Sequence, residues 1–166
     1  MELWERLSRD ARQAIIRAHE VAQEMKSPQI APEHLALGII DLGRGSGYEM
    51  LRGMGVNLDH LRDALVRAAP MGESQAADEI AFTQETQRCL RTAYLEWQKH
   101  AAVGAGRSAA TALADFGGGE PAADSNLESV HLLLGLLAPS SRCECRTLIS
   151  HGVFYGEVSE LLRRAQ

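Results

Sequence analysis

Apolar residues recur at a helical interval early in the chain: Ala11, Ala14, Ile15, Ala18, Ala22 and Met25 share one stripe, with Arg, Gln, His and Glu between them. This predicts a long amphipathic helix with Ser8 as its N-cap. A second helix is predicted from Pro32, a residue suited to a first turn, through "EHLALGII" to the glycine-rich break "GRGSG". A short third helix ends at Gly55, and a fourth opens on Asn57, with Val56 and Leu61 spaced to staple its start, and runs to about Ala68. No segment shows the alternation of a half-buried strand, so strands are not expected.

The same pattern is written a second time. A shift of 97 positions lays His34 on His131, Leu35 on Leu132, Leu37 on Leu134, Gly38 on Gly135, Leu51 on Leu148, Gly55 on Gly152 and Leu65 on Leu162. Upstream, a shift of 75 lays Leu7 on Phe82, Ser8 on Thr83, Ile15 on Leu90 and Ala18 on Ala93. The difference between the shifts places an insertion of 22 residues in the second repeat. Its sequence, about 101–126, is rich in Ala and Gly with little to bury, and reads as a loop. The expectation is an all-α fold in which two tandem four-helix repeats, about 4–68 and about 80–164, pack as one pseudo-twofold domain, joined by a linker at 69–79.

Composition narrows the function. The chain is 45% hydrophobic but only 5% aromatic, carries 15 glycines and has a formal net charge of −5. Its arginines are scattered beside acids, which is no footprint for nucleic acid. No apolar run approaches the roughly 18 residues of a membrane span. Three cysteines, Cys89, Cys143 and Cys145, cannot all pair within the chain, and reduced thiols suit a cytoplasmic setting. Cys143 and Cys145 read as solvent-near loop residues, since "CEC" lacks the second ligand pair of a structural zinc site. No metal, cofactor or catalytic triad is indicated, and His34 with His131 reads as packing and hydrogen bonding rather than metal ligation.

The stretches "RLSRDARQAIIRAHEVAQ", "APEHLALGII", "LRGMGVNLDHLRDAL", "AFTQETQRCLRTA", "SVHLLLGLL" and "HGVFYGEVSELL" resemble the Clp repeat domain, the N-terminal substrate- and adaptor-docking module of Clp-type AAA+ unfoldases, most nearly its ClpC branch. The G-x-x-x-x-G-K-[ST] phosphate loop of the unfoldases' ATPase modules is not in this sequence, so neither ATP turnover nor enzymatic activity is expected. A free-standing homologue is expected over an excised domain, because the second repeat departs so far from the family pattern.

The resemblance implies two kinds of site. In ClpC-like domains a glutamate of each repeat holds the guanidinium of phosphoarginine, a degradation mark; that position is Glu33 here in the first repeat and Val130 in the second. A carboxylate meets paired guanidinium donors and a valine cannot, so one site is expected, and Val130→Glu is expected to rebuild a weaker second one. The residue before Glu33 is Pro32, where the family has threonine, and as an acid in a helix's first turn Glu33 also has a purely structural reading. The second implied site is a hydrophobic surface for peptides, including cyclic peptide antibiotics, carried by Trp4, Arg12, Ile15 and Phe82. The aromatics have the alternative reading of closing the core between the repeats. The leading reading is therefore a non-catalytic module binding Clp unfoldase or protease components, adaptors, tagged substrates or cyclic peptides. The alternative is a structural or oligomerisation scaffold that has lost the ligand sites; oligomeric state is left open.

Overall fold

A computed structural model describes residues 2–73, 79–104, 126–139 and 145–164. The first repeat comprises α1 (Glu2–Arg6), α2 (Arg9–Glu24), β1 (Gln29–Ile30), α3 (Pro32–Leu42), α4 (Ser46–Gly53) and α5 (Leu58–Ala68). The second comprises β2 (Ala81–Phe82), α6 (Gln84–Gly104), α7 (Ser129–Leu137), α8 (Arg146–Ser150) and α9 (Tyr155–Arg164). The fold is all-α, with three departures from expectation. Two-residue strands exist, a short helix precedes Ser8, and α6 runs to Gly104, so the first residues of the expected loop are helical. The rest of that insertion, 105–125, and linker residues 74–78 lie outside the described residues.

Local chemistry sets the helix ends. The Ser8 hydroxyl accepts from the Ala11 amide at 3.1 Å, and in the second repeat the Thr83 hydroxyl accepts from Thr86 at 3.2 Å. Asn57 caps α5 by accepting from the His60 amide at 3.1 Å. Gly43, at φ 67°, ends α3 in the left-handed conformation that glycine adopts without strain.

The strands are how the repeats are exchanged. Ile30 of the first repeat pairs in parallel with Phe82 of the second, and Leu7 of the first makes a parallel bridge to Leu127 of the second. Under the two sequence shifts, Leu7 corresponds to Phe82 and Ile30 to Leu127, so each repeat gives the other the same partner. Equivalent bonds seal both junctions: Thr83 N–H donates to the Ile30 carbonyl at 3.1 Å and Ser8 N–H to the Leu127 carbonyl at 2.9 Å. The third helix of each repeat also crosses over, α4 packing on α7 and α8 on α5.

At the centre lie α3 and α7. Every residue of α7 is buried, as expected of a helix that is apolar all round. Leu35, Leu37 and Ile39 from α3 and Leu132, Leu133 and Leu134 from α7 are fully enclosed, with Trp97 of α6 against them in the same core. Burying each such leucine contributes about 1.5–3 kcal/mol. Gly38 and Gly135, the shared glycines of the repeat, allow α3 to press on α2 and α7 on α6.

Candidate functional site

The N-terminal groove is built by α1, which sequence periodicity missed because five polar-rich residues have no period to read. Arg12 on α2 reaches back to it, donating Nε to the Trp4 carbonyl and Nη2 to the Glu5 carbonyl, both at 3.1 Å. These are last-turn carbonyls without helical partners, and a cation suits that end of a helix. Trp4, held in this way by its backbone, remains 45% exposed. Together with Leu7, Arg12, Ile16 and Asn126 it lines an open groove of about 520 Å³.

The structure thus brings Trp4 and Arg12 together but separates the other two residues expected with them. Ile15 is a core residue, 6% exposed, because it continues the buried stripe of Ala11, Ala14 and Ala18; its neighbour Ile16 takes the exposed position beside Trp4. Phe82 sits in β2, half-buried against the core, on the other strand junction, and does not line this groove.

Glu33 and Val130 are the second residues of α3 and α7. Glu33 is half-buried, and its carboxyl is pushed above the usual carboxylate range, chiefly by burial; its own backbone amide pulls it down and Glu85 adds to the rise. Val130 is 1% exposed, and its surroundings differ as well as its side chain. The N-terminus of α4 closes over it: Val130 N–H donates to the Ser46 hydroxyl at 3.1 Å, and Gly47 N–H to the Ser129 hydroxyl at 2.8 Å. The segment corresponding to the start of α4 in the second repeat falls within 140–144, outside the described residues.

His34 and His131 each close their own helix. His34 Nδ1 accepts from the Ala31 amide at 2.9 Å and His131 Nδ1 from the Glu128 amide at 3.0 Å, which leaves the proton on Nε2. Both Nε2 atoms are buried, and neither meets hydrogen-bond geometry with a partner among the described residues, although the Pro70 backbone acts on the His34 ring. Burial lowers both pKa values, His131 to about 4, with His100 adding to its fall from a ring centroid 5.6 Å away. No group of three or more His, Cys, Asp or Glu among the described residues could hold a metal ion. Cys145, expected near solvent, is 3% exposed, because the amide of this residue bonds the Leu136 carbonyl at 3.2 Å and draws it under α7; Cys143 lies outside the described residues.

One polar group was not anticipated. Glu96 is 3% exposed and bonded by Lys99 at 3.0 Å, and burial, with Glu96 beside it, pushes the Tyr155 hydroxyl up to about 12. The corresponding first-repeat positions are Val21, Glu24 and Leu58, so the aligned text held the signal: two apolar positions, Val21 and Leu58, are Glu96 and Tyr155 in the second repeat, and the acid Glu24 is the base Lys99.

The Clp repeat (R) N-terminal domain family matches residues 6–103. The chain is 28% identical over 152 residues to the chloroplastic chaperone protein ClpC1 of Oryza sativa subsp. japonica, covering 90% of this chain and 14% of the relative. It therefore spans about one seventh of the length of such curated relatives. Among solved structures, the N-domain of ClpV from Vibrio cholerae superposes with a TM-score of 0.70 at 17% identity, covering 98% of this chain and 86% of that one. A ClpV N-domain in complex with a VipB peptide gives 0.68 at 18% identity, covering 97% and 87%. The N-terminal domain of the caseinolytic protease associated chaperone ClpD from Arabidopsis thaliana gives 0.62 at 18%, covering 98% and 99%.

Proposed function

The chain belongs to the Clp repeat (R) N-terminal domain family, and we propose that it is a non-catalytic docking module that holds peptide segments of substrate or adaptor proteins for a Clp-type protease system. The observation that carries this reading is the groove beside Trp4. An exposed tryptophan, fixed through its backbone by Arg12, stands over an open hollow with Ile16, which is the kind of rigid aromatic anchor that peptide recognition uses. The ClpV N-domain, alike in fold, takes a VipB peptide. Short peptides, linear or cyclic, that bring one aromatic or aliphatic side chain to Trp4 and Ile16 and polar groups to Glu5, Arg9, Arg12 and Gln13 are the ligands this groove suits, and by binding them the protein would compete for or present what the protease receives.

Glu33 supports a second ligand class. A half-buried carboxylate beside Glu85, with no ion pair among the described residues, is a site short of a cation, and the guanidinium of an arginine or phosphoarginine supplies one.

The chain carries its own reporter for the first reading. Trp97 is 1% exposed and insulated, whereas Trp4 is open to solvent, so ligand in the groove shifts the emission of Trp4 alone. Titration with short peptides bearing an aromatic or aliphatic anchor is expected to give a saturable shift that disappears in Trp4→Phe. If no peptide moves the emission, the scaffold reading takes its place.

A further inference from the structure

Helices α4 and α9 come from different repeats and flank the first turn of α7. At the corresponding place on the other side of the pseudo-twofold, α8 packs on α5, whereas the facing residues of α4 and α9 line open hollows. Between them lies an apolar groove of about 400 Å³ with Val130 at its floor, and Leu161 separates it from a second hollow of about 450 Å³. The walls are Met50 on α4 and Met54, which caps its end one turn later, facing Leu161 on α9, which is 38% exposed. A glycine stands on each wall, and a Cβ built on Gly53 or on Gly156 meets nothing within 4 Å among the described residues, so both walls border open space.

The rim is acidic. Glu49 lines the first hollow and Glu157 the second, and neither has an ion pair among the described residues. Glu160 is held by Arg163 at 2.7 Å and Arg164 at 3.1 Å. The walls are helices whose backbone groups bond within themselves, so the groove offers side-chain sockets and no edge for an added strand. A partner must therefore satisfy its own backbone.

We propose that this groove docks a helical segment of another protein carrying two aliphatic side chains about one turn apart and Lys or Arg beside them. The methionines adapt to branched or linear aliphatic chains, and Glu49 with Glu157 selects basic neighbours. A second copy of this chain is a poor occupant, since each carries a net charge of −5 and would bring the same acidic rim. The proposal is independent of the Trp4 groove, with which these hollows share no lining residue.

The test uses the full chain and a fluorescein-labelled synthetic helical peptide with leucine on one face and lysine on the other, read by polarisation. Its counterpart with glutamate in place of lysine serves as control. The wild type is expected to prefer the lysine peptide by roughly tenfold or more, and Gly53→Phe, which fills the first hollow, to weaken it about tenfold. The double variant Glu49→Lys, Glu157→Lys is expected to reverse the preference, and circular dichroism verifies that each variant folds. Equal binding of the two peptides, or binding indifferent to Gly53→Phe, overturns the proposal. Binding lost in Trp4→Ala but kept in Gly53→Phe assigns the peptide to the Trp4 groove and also overturns it. A concentration-dependent dimer that Gly53→Phe dissolves shows the groove to be covered by a second copy, with the same consequence.

Discussion

Gly38 lies so near Ala14 that a Cβ on it would collide with the Ala14 carbonyl oxygen, and a Cβ on Gly135 would collide with the Cys89 carbonyl oxygen in the same way. Both obstacles are backbone and cannot swing aside. Gly38→Ala and Gly135→Ala are each expected to cost about 3 kcal/mol or more by forcing a central helix off its neighbour. Gly156→Ala, with open space around it, is expected to leave stability unchanged or raise it by about 0.5 kcal/mol. Urea unfolding of the three variants checks the contrast.

Glu33 is held at a cost to the fold, since burial and Glu85 both disfavour its charge. Glu33→Gln is expected to stabilise the protein at neutral pH by about 0.5–1 kcal/mol. If the carboxylate receives a guanidinium, the same change weakens phosphoarginine by roughly one to two decades, because a charged hydrogen-bonded contact contributes about 1.5–3 kcal/mol. Thermal unfolding and calorimetric titration read the two effects separately.

The reciprocal exchange, Val130→Glu, changes its expected outcome once the structure is considered. Val130 is 1% exposed and floors an apolar groove, so a carboxylate there is desolvated without a partner rather than presented to a ligand. Destabilisation of about 3 kcal/mol or more, and no second phosphoarginine site, is the outcome expected from the same calorimeter.

Acidification is expected to weaken the fold through His131. The unfolded chain takes up its proton near pH 6.5, the folded one only near 4, because Nδ1 is already bonded to the Glu128 amide and the ring is buried. The unfolded state thus binds more protons in that window, so this contribution is complete above about 6.5 and is lost as pH falls toward 4, on the order of 3 kcal/mol in all. His34 acts in the same sense and Glu33 in the opposite one. Urea midpoints across this range should fall steeply in the wild type and less steeply in His131→Gln.

Arg12→Ala is expected to separate stability from binding. The two carbonyls it bonds are exposed, so their loss costs about 1 kcal/mol or less. The affinity of a peptide in the Trp4 groove is expected to fall about tenfold, because α1 is no longer pinned. Fluorescence titration beside a thermal melt distinguishes this from general destabilisation.

The long helices were legible in the sequence because Ala11 to Ala22 kept a clear period and Ser8, Asn57 and Gly43 marked the ends. The strands were not, since two residues cannot alternate and each exists only because the other repeat supplies a partner. Ile15 is instructive: its own stripe with Ala11 and Ala18 assigned it to the core, while the family resemblance assigned it to a surface, and packing followed the stripe. Val130 was legible as a lost carboxylate, but not as the floor of a groove, because that groove exists only where α4 has crossed into the other repeat.

The crossing of Ile30 to Phe82 and of Leu7 to Leu127 has a consequence for the polypeptide as a whole. Either half, made alone, would leave the backbone of its junction residues unpaired and expose the part of its central helix that the other half covers, so neither is expected to fold by itself. Cut between Glu73 and Glu79, the two pieces should nonetheless find each other and reassemble, as two chains of a dimer would. The tether then serves chiefly to hold each half at a high local concentration of its mate. Shortening that tether below the reach needed to fold back should turn the intramolecular exchange into one between molecules, yielding interlocked pairs of chains with the same junctions.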